Sequence, residues 1–256
     1  MTEPLQAAAS LLGRSHRLVA LTGAGISTES GLPDFRSPGG FWAGVNPLEV
    51  ASLTAFRRRP QAFYDFYRRR LATLAGAAPN AAHRALVDLE RFGLRAVVTQ
   101  NVDGLHQAAG SRRVIELHGN LREAVCVECG RVVPIGAITE ALDRGELPTC
   151  GGCGGRLKPN VVLFEELLPP AAYAAAEHEC GQADVLLVAG SSLQVTPAAW
   201  LPEVARARGA GVVIANDEST ALDDLADVVL RGRVGKMLPA LVAAVAAVRG
   251  ERDASP

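Results

Sequence analysis

Residues 18–37 read LVALTGAGISTESGLPDFRS. The first five form an apolar run with the makings of a buried strand, and they lead directly into Gly23-Ala24-Gly25. A strand ending in small residues is the usual entrance of a nucleotide-binding α/β fold. Without bulky side chains the backbone can approach a pyrophosphate and turn N–H groups toward its charge. A complete GxGxxG fingerprint would put glycine at position 28, where this chain has Thr28, so the motif alone is weak. Its continuation says more. Residues 30–37 are polar and punctuated by Gly31 and Pro33, where an ordinary dinucleotide fold continues its helix. A long irregular segment inside a compact domain serves a ligand more often than it merely connects elements.

Working outward, periodicity predicts strands over 95–99, 114–117, 184–189, 211–215 and 227–230. Helices are predicted over 5–12, 60–74, 81–92, 171–180, 198–208 and 236–249, the third capped by Asn80 and stopped by Gly93. Apolar strands alternating with helices give a Rossmann-like parallel sheet with helices on both faces. Gly23, Gln100-Asn101, His118, Gly190-Ser191 and Asn216 each follow the C-terminus of a predicted strand, the edge where open α/β sheets bind ligands. Two stretches interrupt the pattern: a largely helical one over 35–75 and a glycine-rich one over 120–160. The expected organisation is one domain over 1–256. Its large nucleotide-binding part comprises about 1–34, 76–119 and 161–256, and the two insertions form a small part.

The 256 residues are 48% apolar and 21% charged, enough for a sizeable core. A net charge of −1 gives no electrostatic footprint for nucleic acid or an anionic membrane. The basic residues are almost all arginine, with Lys158 and Lys236 the only lysines. No signal peptide or membrane span is expected. Four of the five cysteines form Cys126-x-x-Cys129 and Cys150-x-x-Cys153, separated by 20 residues, the spacing of a tetrahedral zinc site. Four thiolates leave no open position for water, so one structural Zn²⁺ is expected. Reduced thiols and the absence of a leader make cytoplasm the default location.

Further motifs follow in order: Thr99-Gln100-Asn101-Val102-Asp103-Gly104-Leu105-His106, Glu116-Leu117-His118-Gly119, Gly190-Ser191-Ser192-Leu193-Gln194-Val195-Thr196-Pro197, and Asn216. Together with the GAGISTESGLPDFRS loop and the two Cys-x-x-Cys pairs, this series resembles the sirtuins, the NAD-dependent protein lysine deacylases. The resemblance runs from 23 to 216. It implies that NAD is consumed as a cosubstrate: the acyl group passes from lysine to ADP-ribose and nicotinamide leaves.

The resemblance also implies roles. His118 is the general base, and Asn101 with Gln100 contacts the ribose and positions water. Asp103, with the backbone near Ile26, holds the nicotinamide carboxamide. Gly23, Ala24, Gly25 and Trp42 border the cofactor; Asp34, Phe35 and Arg36 line the nicotinamide-ribose pocket. Gly190, Ser191, Ser192, Asn216, Asp217 and Val234 hold the phosphate and adenosine end. The partner is an acylated-lysine protein, lying as an added strand between Val161-Val162-Leu163-Phe164 and Leu193-Gln194-Val195. No membrane or nucleic-acid partner is expected, and the expected state is a monomer. Sirtuins that remove succinyl or malonyl groups carry Tyr-x-x-Arg on the helix near 64. Here Tyr64-Asp65-Phe66-Tyr67 puts Tyr67 where arginine is sought, so uncharged acyl groups are expected to be preferred. Where most sirtuins have Phe-Gly-Glu, this chain has Phe164-Glu165-Glu166. Three other readings stay open on sequence alone: an NAD-dependent oxidoreductase, a non-catalytic NAD or ADP-ribose sensor, and a protein mono-ADP-ribosyltransferase.

Overall fold

The computed structural model describes residues 2–35 and 37–253. Nine strands are assigned among them: β1 (Leu18–Thr22), β2 (Leu94–Thr99), β3 (Val114–Glu116), β4 (Gly119–Cys126), β5 (Val132–Pro134), β6 (Leu157–Val161), β7 (Val185–Ala189), β8 (Gly211–Asn216) and β9 (Val228–Arg231). Six of them form a parallel sheet in the order β3-β2-β1-β7-β8-β9.

The period-2 geometry of a strand sends alternate side chains to opposite faces. Leu18, Ala20, Leu187, Val213 and Ala215 pack on one face, under the helices Glu3–Arg14, Ala81–Leu89 and Val234–Asp253. Val19, Leu21, Val98, Leu186, Val188 and Ile214 pack on the other, under Pro170–Gly181 and Leu201–Ala207. Both faces are covered, which is why these strands read as continuous apolar runs rather than alternating ones. Each fully buried Leu, Ile or Val stabilises the fold by roughly 1.5–3 kcal/mol.

The expected helix over 81–92 divides in two. An α-helix runs Ala81–Leu89 and a 3₁₀ turn Glu90–Phe92, ended by Gly93 at φ 101°. Asn80 caps it as expected, its side chain accepting from Ala82 N and His83 N, while His83 Nδ1 accepts from Asn80 N. The strand expected over 114–117 stops at Glu116, leaving Leu117 and His118 in a turn.

Residues 119–161 build what periodicity did not announce: an antiparallel sheet in the order β5-β4-β6, with the helix Gly136–Asp143 beside it. Its core is shared with the helices Leu53–Arg58 and Pro60–Ala75, through Phe56, Phe63, Tyr64, Phe66 and Tyr67. Among the described residues no helix is long and apolar enough to cross a membrane.

Candidate functional site

The strand register aligns the site. Thr22 pairs with Thr99 and with Ala189, Thr99 with Glu116, and Ala189 with Ala215. The residues that follow these positions therefore emerge along one edge. The strand order reverses between β1 and β7, and a crevice opens at such a switch point. There the two loops touch: Gly23 N donates to Ala189 O at 3.3 Å and Gly25 N to Gly190 O at 2.8 Å. Gly190 has φ 63°, and a Cβ on it would sit 2.2 Å from Ile26 N, so only glycine allows this approach.

A cleft of about 490 Å³ opens over that junction. It is lined by Gly23, Ala24, Gly25, Asp34, Phe35, Gln100 and Asn101 on one side and by Gly190, Ser191, Ser192, Asn216, Asp217 and Val234 on the other, with His118 in its wall. Thr28, Glu29, Ser37, Glu218 and Arg233 also line it, and sequence reasoning did not single them out. Glu29 carried a readable signal, since it lies inside the decisive loop. Arg233 carried none, because only the fold brings it to this edge. Ile26 is buried behind the cleft, its carbonyl accepting from Asn80 Nδ2 at 2.7 Å. Asp103 lines a smaller adjoining pocket with Phe35 and Arg70. Arg36 lies outside the described residues.

A buried polar network holds the cleft floor. Asn101 Nδ2 donates to Gly23 O and to Ser27 Oγ, each at 3.1 Å, and Ser27 Oγ donates to Asp103 Oδ2 at 2.7 Å. Gln100 Nε2 donates to Ser191 Oγ at 2.9 Å, joining the two sides of the cleft. Beneath lie two histidines in contact, His83 and His106, with ring centroids 4.9 Å apart and planes inclined at 59°. Thr22 Oγ1 gives its proton to Thr99 Oγ1, so at 2.9 Å it accepts from His106 Nε2–H. Burial is the main reason that His83 is pushed down to about 4 and His106 to about 3, so both are neutral near pH 7.

His118 is of a different kind. Its Nδ1 lies 2.9 Å from Gln100 O, and a carbonyl can only accept, so the proton sits on Nδ1 and Nε2 is left basic. Burial is the largest influence on its pKa and pushes it down. The Gln100 hydrogen bond opposes that shift and the Arg70 charge adds to it. The ring is thus held in its base form at neutral pH.

His118 also lines a second cavity, a channel of about 430 Å³. Trp42, Tyr67, Arg70, Val161, Val162, Phe164 and Val195 line it too, with Gln100 and Phe35 where it approaches the cleft. Trp42 therefore faces this channel and not the large cleft. Leu193 is buried, with φ 54°, and lines neither cavity. Tyr64 is also displaced from its expected place. It is buried, donates its hydroxyl to Leu157 O at 2.7 Å, and lines neither cavity. One helical turn further on, Tyr67 and Arg70 share the channel wall at the Tyr-x-x-Arg spacing, now counted from 67. The Arg70 guanidinium lies over the Phe35 ring at 5.0 Å and the Phe41 ring at 5.4 Å, and hydrogen-bonds the Tyr67 hydroxyl. Arg68, two residues before it, points elsewhere and pairs with Asp143 at 2.9 Å in solvent.

The channel floor is braced by an ion pair. Lys158, 8% exposed, donates from Nζ to Glu166 at 2.7 and 2.5 Å and to Val161 O at 3.0 Å. Glu166 Oε2 also accepts from Leu163 N at 2.8 Å. The backbone then crosses to His118, whose carbonyl accepts from Val162 N at 2.9 Å.

The four cysteines of the two pairs converge, all sulfurs lying within 4.8 Å of one another. Cys126 Sγ and Cys153 Sγ are 3.5 Å apart, and Cys129 Sγ and Cys150 Sγ 3.9 Å. Zinc–thiolate bonds of about 2.3 Å in a regular tetrahedron require sulfur separations of about 3.8 Å, so the arrangement fits one Zn²⁺. Two matching turns create it: Gly130 N donates to Cys126 O and Gly154 N to Cys150 O, each at 2.9 Å.

Comparison with known proteins places this geometry. Residues 23–197 match the model of the Sir2 family. The chain is 53% identical over 232 residues to NAD-dependent protein deacetylase 1 of Geobacillus kaustophilus, covering 90% of this chain and 93% of that one. It is 44% identical over 254 residues to NAD-dependent protein deacylase 2 of Archaeoglobus fulgidus, covering 98% and 100%. Among solved structures, Sir2Af2 bound to a myristoylated histone peptide superposes with a TM-score of 0.82 at 40% identity, covering 98% of this chain and 100% of that one. The stretch matched by the family model contains the glycine junction, the Asn101 network, His118 and the four cysteines, and the chain belongs to the Sir2 family.

Proposed function

We propose that the chain is an NAD-dependent protein-lysine deacylase, and one observation carries the reading. His118 stands in the wall shared by a large polar cleft at the switch point and an apolar channel, with Nε2 unprotonated. A group placed there can serve a reaction between a nucleotide in the cleft and a side chain threaded through the channel. Bound NAD supplies an electrophilic ribose carbon and a leaving nicotinamide.

The chain's own residues do the rest. Gln100 and Asn101, fixed by Ser191, Gly23 and Ser27, orient the ribose. Asp103, fixed by Ser27 and by Leu105 N, faces the nicotinamide amide. Ser191, Ser192 and Asn216 hold the phosphate and adenosine end. Phe35, between cleft and channel, excludes water from the sugar carbon. His118 accepts a proton from the ribose hydroxyl. The acylated peptide lies as an extended strand beside Val161–Phe164 and Val195. In this reading residues 35–75 and 120–160 act together as the acyl- and peptide-holding part, with zinc structural.

Tyr67 and Arg70 change the expected acyl preference. The wall also carries polar groups, Gln100, His118, Glu165 and Glu166 among them, but in it the Arg70 guanidinium and the Tyr67 phenol are the pair suited to a terminal carboxylate. The reading is therefore that acidic acyl groups such as succinyl are accepted, and not only uncharged ones.

The test is mass spectrometry of acetyl- and succinyl-lysine peptides incubated with and without NAD, beside His118→Ala. NAD-dependent loss of an acyl group with nicotinamide released, absent from the variant, is expected. Transfer of ADP-ribose onto protein with the acyl groups left intact would overturn the reading.

A further inference from the structure

Glu165 has φ 76°, a left-handed conformation shared among the described non-glycine residues only with Leu193. A residue with a Cβ persists there only where its surroundings over-determine it. They do so through its carboxylate. Glu165 Oε2 accepts from Thr54 N at 2.8 Å. Thr54 is the second residue of the helix Leu53–Arg58, whose cap Ser52 accepts from Ala55 N at 2.9 Å. Glu165 and Ser52 thus satisfy two N–H groups that the first turn leaves without helical partners. The backbone joins at the same point: Phe164 N donates to Ala51 O and Leu53 N to Phe164 O, each at 3.1 Å. Glu166, the next residue, holds Lys158 on the other side. Two adjacent carboxylates therefore tie one loop to two separate walls, and the loop carries Phe164 against Trp42 at the channel, ring centroids 6.0 Å apart.

We infer that Glu165 is a positioning residue for the acylated peptide: its bond to Thr54 N holds Val162–Phe164 in the register that receives the peptide strand. It touches no reacting atom. The inference rests on the deacylase reading and adds to it a determinant of peptide affinity.

Three variants separate latch from strain. Glu165→Gln keeps an oxygen on Thr54 N–H and keeps the backbone strain. Glu165→Ala keeps the strain and loses the latch. Glu165→Gly loses both. Peptide affinity is read by anisotropy of a fluorescein-labelled acetyl-lysine peptide, and turnover by the release of nicotinamide. Loss of one hydrogen bond to a charged acceptor, partly replaced by water, predicts a peptide Kd and KM about 3- to 10-fold higher in the Ala and Gly variants. The Gln variant should stay within about 2-fold of wild type, as should kcat and the KM for NAD in all three. A merely structural role would lower kcat and raise the NAD KM together with the peptide KM, and that result overturns the inference. So does wild-type peptide affinity in both Ala and Gly, or a Gln variant as weak as Ala. Wild type that binds the peptide without turning it over sinks the deacylase reading, while the anisotropy series still decides on the latch.

Discussion

Replacing Arg70 by methionine should separate acidic from neutral acyl groups. The substitution keeps an unbranched stem against Phe35 and Phe41 and deletes only the guanidinium, which stacks on those rings and hydrogen-bonds Tyr67. Burial disfavours its charge and is the largest influence on its pKa. Even so, a guanidinium stays protonated at neutral pH, and a desolvated one gains more from an incoming carboxylate than a hydrated one. A hydrogen bond to a charged group contributes about 1.5–3 kcal/mol, so losing the fork should cost a succinyl substrate about 2–3 kcal/mol of transition-state binding. That is about 30- to 150-fold in kcat/KM. An acetyl group presents no carboxylate. Its substrate loses only the effect of the missing cation–π contacts, about 0.5–1 kcal/mol, or up to about 5-fold. The assay compares initial rates, by liquid chromatography and mass spectrometry, on two peptides that differ only in the acyl group, at saturating NAD. A parallel fall on both peptides would refute the reasoning, as would background turnover of the succinyl peptide by the wild-type enzyme.

Acid should destabilise the protein through its buried histidines. His83 and His106 are depressed to about 4 and about 3 against an ordinary value near 6.5. Between those limits the unfolded chain binds protons that the folded chain refuses, so stability present at pH 7 is lost as pH falls from 6.5 toward 4. The urea midpoint should drop by the equivalent of a few kcal/mol between pH 7 and 4.5, and His106→Gln should flatten that dependence. An unchanged slope in the variant would count against the assignment. Metal removal should act on the small sheet. The protein should carry about one equivalent of zinc, and Cys150→Ser should release it and lower Tm. Full stability without zinc would show that the aromatic core there suffices alone.

The parallel sheet was legible because strands buried on both faces spell themselves out as apolar runs, as at 185–189. The glycine junction was legible because a Cβ has no room at Gly190. The second sheet was not. β5 is a three-residue strand with exposed positions, and part of what packs that module is two pairs of cysteines, which carry no period. The placement of Tyr64 failed for a different reason. Tyr64 and Tyr67 lie three apart on one helix, a stripe in which both are buried, and sequence cannot say which of the two meets the channel and which meets Leu157 O. Arg70 is the last of three consecutive arginines. Only the fold shows that Arg68 goes to Asp143 in solvent while Arg70 stacks on Phe35.

The ion pair that braces the channel floor takes up one of the two lysines in the chain. Lys158 is enclosed, which leaves Lys236, exposed near the start of the last helix, as the single side-chain amine open to reagents. An enzyme that recognises modified lysines among a crowd of proteins thereby offers almost none of its own. Among its side-chain amines, reactive acyl donors find one exposed place to land. An amine-directed dye would for the same reason mark the folded side chains at one known position, beside the Arg233 and Val234 wall of the large cleft.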